Sequence, residues 1–559
     1  MRRWSGGMMA IVAVCVSVRA AAQDTTAVST DTIAVSVDTI AVSTDTIPYL
    51  TDTVVAVDSA RVAIPAAPAN PGDVECGGVP ETRFHASPLL PEDHWAVRAA
   101  WRAEALGLTR FLPAQRAVPR AEVARALFEA QANAGTPALQ DLAEGWMVRF
   151  VEEFPEYAGP GRTRGGVTLL GGEAAVGYDR WTGRITPAIG FLSIRQDPRP
   201  LPDVSDGRAS LLGGVAIPNA SASAEGAWRG GEAVLRQWDV AVGAGAFQLS
   251  VGRAPVGYGW GRTGGLVYAD PDPLPRVELR TTRPFRLPGF LRHVGPVTLQ
   301  TFAGPVNDDA RHPTGPNLWG MRAAFQPHPR LTFGANRGAI FGGEDDPITV
   351  SNLAKMVLGV IRSRFENQVI SVDARWRLPT DRVLPATAYI EWGADDAAGA
   401  LDETPARVIG LFLPILPGAP QAALGVEYTY FKAACCGHGA WYVNSTFPGN
   451  WAVRDRPLGH PLGGEGAEYA AYAQADLLDA RLRMEGRAWI ADRSDHSLQS
   501  PRFGAGNLFT PQRTGRSTGG RLDTALRIFP RAELRAGWTL EDGDGWREQS
   551  LRATFAWLF

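Results

Sequence analysis

Lysine is nearly missing from this chain. Only Lys355 and Lys432 occur, so arginine carries almost all the positive charge. High-GC codon usage explains such a bias, and a demand for bidentate Arg–carboxylate contacts is the functional alternative. Cysteine is sparse as well: Cys15, Cys76, Cys435 and Cys436. Cys15 falls in a segment expected to be removed. The three that remain are an odd number, which excludes a full disulfide framework. Adjacent Cys435 and Cys436 lack the Cys-x-x-Cys or His/Cys spacing of a zinc site. They read as loop residues or a vicinal disulfide, and no metal or cofactor is expected. Neither sign of charge dominates, with 55 Lys+Arg against 58 Asp+Glu and a net charge of −3. That removes the electrostatic case for nucleic acid. Long apolar runs are also lacking. Beyond the extreme N-terminus no window approaches the ~18 uncharged apolar residues of a spanning helix, which excludes a multispan helical protein.

What is present points to β-structure. Apolar residues make up 45% and mean hydropathy is −0.10, too apolar for a disordered chain. Glycine is 62 of 559 residues, above the usual ~7%. Aromatics are plentiful, with 17 Trp, 11 Tyr and 22 Phe. A large soluble all-β protein and a transmembrane β-barrel both fit these totals. The barrel fits better, because its lipid-facing and lumen-facing residues alternate and average out in hydropathy.

The N-terminus reads as an export signal over residues 1–22. Arg2 and Arg3 lead into an apolar core from Met8 to Val18, and Ala20-Ala21-Ala22 offers a small-residue cleavage site. A seven-residue repeat follows, with Asp24, Asp31, Asp38, Asp45 and Asp52 in register. Its Thr, Val, Ser and Asp are poor helix formers, so the period does not mean a coiled coil. Residues 23–84 read as an extended spacer, prolonged by Pro65, Pro68 and Pro71. Residues 85–160 form a small α-helical segment. Trp95, Ala99, Arg102 and Leu106 share helical spacing, and Gly107 caps that helix. Pro119 opens a second helix, and Leu142, Trp146 and Phe150 mark a third.

From about residue 165 to 559 the pattern becomes short alternating runs broken by glycine and proline. Examples are Arg184–Arg195, Val297–Phe302, Leu331–Phe341, Val369–Trp376, Ala386–Trp392, Ala422–Phe431, Arg481–Ile490 and Arg531–Leu540. Leu482, Met484, Gly486 and Ala488 alternate with Arg481, Arg483, Glu485 and Arg487. Charges on the inner face of a soluble sandwich are costly, whereas a barrel lumen accepts them. In the last strand Leu551, Ala553, Phe555, Trp557 and Phe559 share one face. An aromatic final residue resembles the recognition signal of bacterial outer-membrane barrels. The length predicts 16 to 20 antiparallel strands, at roughly 20–24 residues per strand and connection.

Catalytic signals are weak. Eight histidines occur, none in a Ser/His or H-E-x-x-H arrangement. The doublets Asp308-Asp309, Asp345-Asp346 and Asp395-Asp396 suit solvated loops better than a glycosidase pair or a calcium site. The chain is therefore not expected to be an enzyme. Two aromatic runs are candidate sugar contacts. In Cys435–Trp451, Trp441, Tyr442 and Trp451 offer stacking faces, with Asn444 and His438 as polar partners. In Gly257–Gly261, Tyr258 and Trp260 would stack on sugar rings and Arg262 would pair with an acidic sugar. Packing is the stronger reading for this second run.

Several short motifs follow one another in order: Val251–Trp260 (VGRAPVGYGW), Gly261-Arg262, Asp270-Pro271, Arg280–Pro284, Gly304-Pro305, Asn317–Met321, Leu331–Arg337, Tyr389–Gly393 (YIEWG) and Pro457–Gly463 (PLGHPLG). With Ser87–Pro91 and Trp95–Gly107 ahead of them, they resemble the capsule assembly protein Wzi family over roughly residues 85–500. The resemblance implies a monomeric outer-membrane barrel of about 18 strands, braced by a periplasmic helical unit. It also implies a non-enzymatic, lectin-like binder that helps attach capsular or related surface polysaccharide to the cell. Its other partners would be outer-membrane lipids, lipopolysaccharide and the barrel assembly machinery. The alternative is a porin or nutrient channel. The run HWAVRAA … RAEVARAL within 94–130 resembles a cell-wall-binding S-layer-homology module that some porins carry.

Overall fold

The computed structural model describes residues 84–559 apart from 113–115, 158–162, 165, 183–204, 230–231, 270–272, 307–314, 345–347, 359–365, 382, 396–404, 433–440, 444–450, 454–455 and 499–513. The export signal, the seven-residue repeat, all four cysteines and the strand expected at 184–195 lie outside these residues.

Three helices come first: α1 (Trp95–Leu106), α2 (Arg120–Asn133) and α3 (Pro137–Glu153). Each boundary has a local cause. The His94 ring accepts from the Ala96 amide at the start of α1, and Gly107 ends it with φ of 74°. Thr136 caps α3, with Pro137 in its first turn. Their apolar faces bury Val97, Val123, Leu127, Trp146 and Phe150 in one core.

The strands are β1 (Val167–Thr182), β2 (Ser205–Ile217), β3 (Ala220–Arg229), β4 (Glu232–Ala244), β5 (Phe247–Ala254) and β6 (Leu274–Thr281). Next come β7 (Pro296–Pro305), β8 (Asn317–His328), β9 (Leu331–Phe341), β10 (Glu366–Arg377), β11 (Thr387–Asp395) and β12 (Ala406–Leu413). The last are β13 (Ala422–Phe431), β14 (Gly466–Leu477), β15 (Leu482–Arg493), β16 (Gly515–Phe529), β17 (Ala532–Gly543) and β18 (Trp546–Leu558). Each pairs antiparallel with the next, and β18 pairs with β1, closing an 18-stranded barrel. Closure leaves no open edge. The expected strands Leu331–Phe341 and Ala422–Phe431 appear with those bounds.

The alternation sorts side chains as expected. Val176, Leu211 and Val242 are more than half exposed on the outer surface. In the last strand Leu551, Phe555 and Trp557 lie on the same outer surface, while Thr554 turns inward. Such a girdle would be a large exposed patch in water and belongs against lipid. No described helix is long and apolar enough to cross a membrane; the closed barrel is the element built to cross one. The inward charges meet one another rather than open water. Arg322 reaches Asp373 at 2.6 Å, and Arg276 and Arg280 both flank Glu278.

The barrel's two ends differ. One carries short turns such as 218–219, 245–246, 329–330 and 530–531, and the other carries long connections such as 255–273 and 432–465. The helical unit sits at the short-turn end. Arg102 of α1 donates to the carbonyls of Pro414, Pro420 and Gln421 and pairs with Asp476 at 3.0 Å. Arg149 of α3 donates to Ala480 O at 2.6 Å and pairs with Glu533 at 2.5 Å. Glu104 pairs with Arg375 of β10, and the Gly171 amide of β1 donates to Glu156 at 2.9 Å. Ser87 exchanges hydrogen bonds with Gln248 of β5.

Candidate functional site

Two loop-end segments fold back into the lumen. Residues 255–269 carry Val256, Tyr258, Leu266, Val267 and Tyr268 into a buried cluster with Trp441, Tyr442, Trp451, Leu458 and Leu462. Each segment locks the other. Tyr442 Oη donates to Leu266 O at 2.6 Å, Trp451 Nε1 donates to Val267 O at 2.8 Å, and the Ala269 amide donates to Leu458 O at 2.8 Å.

Two wall carboxylates hold the first segment. Glu427 of β13 accepts from the Arg262 amide at 2.7 Å, the Thr263 amide at 2.9 Å, the Thr263 hydroxyl, and Tyr389 Oη at 2.6 Å. Glu391 of β11 accepts from the Leu266 amide at 3.2 Å and from Ser371 at 2.6 Å. Below, Arg116 of the helical unit donates to the carbonyls of Tyr258 and Gly261 and pairs with Glu92 at 2.7 Å. His460 Nε2 lies 2.8 Å from Thr263 Oγ1. Burial first, then the charges of Arg487, Arg116 and Arg493, holds this imidazole well below its usual pKa, so it is neutral.

Where the returning segment meets α1, a cavity of about 50 Å³ forms. Trp101, Trp260, Tyr389, Phe412 and Tyr472 give it aromatic walls, and Arg98, Arg262 and Arg375 supply guanidinium groups. Register explains how the tyrosines fit. Tyr389 pairs with Gly410 and Tyr472 with Gly425 on neighbouring strands. A Cβ at either glycine would lie about 2.1–2.2 Å from the tyrosine ring, so only glycine lets the rings lie flat against the wall. Arg262 stacks 5.9 Å from the Trp101 ring centre and 5.6 Å from that of Tyr472, and Arg375 lies 4.5 Å over Trp260. Trp101 Nε1, Trp260 Nε1 and Thr387 Oγ1 are buried without a hydrogen-bond partner and belong to residues lining this one cavity. Arg98 and Arg262 share the Glu485 carboxylate, and Arg262 also lies 3.9 Å from Glu92. Burial, then Arg262 and Arg483, lowers the Arg98 pKa to about 9. Aromatic faces, free N–H donors and guanidinium groups suit an oxygen-rich, anionic group such as the carboxylate end of an acidic sugar, and about 50 Å³ admits part of a sugar rather than a whole ring.

A second cavity of about 160 Å³ lies between α1 and the wall of β1–β4 and β15–β18. Its lining mixes Arg236, Arg483, Arg521, Arg535 and Arg552 with Glu173, Glu225, Asp523 and Glu533. Opposite charges pair across it, as Arg535 does with both Glu173 and Glu533. It is polar but largely self-neutralised.

The residues expected from sequence divide accordingly. Trp260 and Arg262 line the aromatic cavity. Tyr258 is buried and packs edge-on against Tyr268, in keeping with packing as the stronger reading of that run. The expectation of an external stacking surface at Trp441, Tyr442 and Trp451 is corrected. All three are 0% exposed, because they turn into the lumen, where Tyr442 and Trp451 donate to the carbonyls of residues 266–267. His438 and Asn444 lie outside the described residues. Sequence reasoning missed Trp101, Tyr389, Tyr472, Glu391, Glu427 and His460. Tyr389 and Glu391 alternate with Ile390 and Trp392, which was a legible sign of an inward face. Among the described residues no His, Cys, Asp and Glu cluster could hold a metal.

A closed membrane-spanning barrel with a helical unit at its short-turn end and loops returned into its lumen defines a class: barrels of the outer-membrane type with internal segments. Within that class, the profile of capsule assembly protein Wzi matches residues 201–547, and the chain belongs to that family. Among solved structures it is similar to Escherichia coli Wzi, described as an outer membrane protein involved in group 1 capsule assembly and a carbohydrate-binding β-barrel. That likeness has a TM-score of 0.66 at 17% identity, covering 84% of this chain and 99% of that one. Pseudomonas aeruginosa OpdQ (12% identity, TM-score 0.40, 70% of this chain and 97% of that one) and OpdL (11%, 0.41, 70% and 98%) are more distant. A search of curated proteins by sequence finds no match.

Proposed function

We propose that this protein binds an acidic surface polysaccharide and helps hold it at the cell surface, without catalysing a reaction on it. The cavity of Trp101, Trp260, Tyr472 and Arg262 carries this reading, in a chain of a capsule-assembly family. Its unpaired donors ask for acceptor oxygens, and its arginines can share their charge with an acidic group. The barrel resides in the outer membrane as a monomer, placed there by the barrel assembly machinery after Sec export and cleavage near Ala22. The long loops face outward among lipopolysaccharide, and the helical unit faces the periplasm. Deleting the gene in its own host should release polysaccharide into the medium while total synthesis continues. Unchanged retention would sink the anchoring role.

One observation favours the channel alternative: the polar cavity along β15–β18 and β1–β4. Planar-bilayer recording of the pure protein separates the two readings. Large steady conductance would favour the channel.

A further inference from the structure

One loop-end element lies on the outside of the wall. Helix α4 (Val350–Leu358) belongs to the connection between β9 and β10. Strand alternation identifies the surface it touches. In β8, Met321 and Phe325 face out, while Leu318, Gly320 and Arg322 face in. Trp319 therefore faces out, and so do its register partner Ala339 and the nearby Phe341. Unlike most of the lipid-facing girdle, these three are buried. Met356 and Leu353 of α4 cover them. Arg337, also on the outer face, fastens the helix. Its guanidinium lies 5.6 Å from the Trp319 ring centre and donates to Met356 O at 2.6 Å and Val357 O at 3.0 Å. Those are last-turn carbonyls that no helical amide can reach.

The helix has more apolar surface than the wall uses. At 3.6 residues per turn, Met356, Leu353, Val357, Val350 and Ala354 form one continuous arc. Ser351, Lys355 and Asn352 form a separate polar strip. The wall takes only Met356 and Leu353. Val350 is left 85% exposed, and Val357 and neighbouring Ile348 are each 48% exposed. Lys355 is exposed too, in a chain with one other lysine. A wide apolar arc continuous with a lipid-facing girdle, edged by a cationic polar strip, is the build of a helix lying in a membrane interface.

We propose that α4 is seated in the outer leaflet and that its partner is the phosphorylated glycolipid of that leaflet. Acyl chains pack on Ile348, Val350 and Val357, and a phosphate sits by Lys355. The assignment of leaflet rests on the orientation proposed above. In a chain whose Cys76, Cys435 and Cys436 are serine, a fluorescent label is placed by Val350→Cys, and the protein is reconstituted with acyl-brominated lipid. Quenching should match within about twofold that of a label at Val372→Cys on the outer face of β10, and exceed that at exposed Val383→Cys several-fold. A label at 350 that behaves like the one at 383 and is quenched by iodide overturns the proposal. So does disulfide coupling of two 350 positions, which would make a second copy the occupant. In a second arm, Lys355→Glu should reduce co-purified phosphorylated glycolipid about fivefold and leave retention of its dephosphorylated form unchanged. Bromolipid quenching with unaltered glycolipid retention would overturn the glycolipid partner and the leaflet while leaving the helix in lipid. Heat-modifiable gel migration shows that each variant is folded, since every altered side chain of α4 is exposed.

Discussion

Glu427 is the residue whose loss should be most informative. It accepts from two consecutive backbone amides of the returned segment, Arg262 at 2.7 Å and Thr263 at 2.9 Å, and from the hydroxyls of Thr263 and Tyr389. Glu427→Ala leaves those amides facing a hole in the wall. A hydrogen bond to a charged group contributes about 1.5–3 kcal/mol net. Counting only the two amide bonds, and allowing for water that enters the hole, docking of residues 257–268 weakens by about 3–4 kcal/mol. At about 1.4 kcal/mol per tenfold, the segment opens roughly 10² to 10³ times more often. Hydrogen exchange read by mass spectrometry on peptides covering 257–268 reports this directly. Exchange there should rise by that factor, while β1–β3, on the far side of the barrel from β13, keep their protection. Glu427→Gln should fall between the two, because it retains one acceptor oxygen. If the 257–268 peptides exchange at the parent rate in Glu427→Ala, the wall carboxylate does not hold the segment and the account of the lumen fails.

Three further outcomes follow from the same geometry. Trp260→Ala and Arg262→Ala should each weaken binding of a uronate-containing oligosaccharide about tenfold in calorimetry. Unaltered affinity in both would move the sugar site elsewhere. Gly425→Val places carbon about 2.2 Å from the Tyr472 ring; overpacking of this kind costs about 1–3 kcal/mol, read as a lower melting temperature in detergent, and Gly425→Ala should cost less. His460 is held neutral in the fold, with its pKa well below the usual 6.5. Below that value the unfolded or undocked state binds a proton that the docked state refuses. Docking is thus fully stable above about pH 6.5 and loses about 1.4 kcal/mol per pH unit as pH falls toward the folded pKa. Exchange of 257–268, corrected for intrinsic rates, should show this slope, and His460→Gln should flatten it.

What could be read beforehand was whatever alternation alone decides. Leu331, Phe333 and Ala335 against Thr332, Gly334 and Asn336 declared two faces, and the strand lies as drawn because one face meets lipid and the other the lumen. The three helices were legible from spacing and from Gly107 and Pro119 as punctuation. Loops obey no period, so nothing local announced that residues 255–269 turn inward together with Trp441, Tyr442, Trp451 and Leu458. Trp441 and Trp451 look alike in a sequence whether they greet solvent or a lumen. The cavity was hidden for a different reason. Tyr389 and Tyr472 need Gly410 and Gly425 beside them, and that adjacency exists only once strand register is set. Helix α4 escaped notice because its nine residues are too few for a periodic signal to stand out.

The helical unit grips the wall at points spread around its whole perimeter: Gly171 on β1, Gln248 on β5, Arg375 on β10, Asp476 at the end of β14 and Glu533 on β17. Such a set of anchors works as a gauge. A ring with one hairpin too few or too many would change the circumference, and the buried arginines of the helices would face carbonyls and carboxylates out of reach. The number of strands is therefore checked by a template that precedes the barrel in the chain, and miscounted rings are penalised before the last strand meets the first.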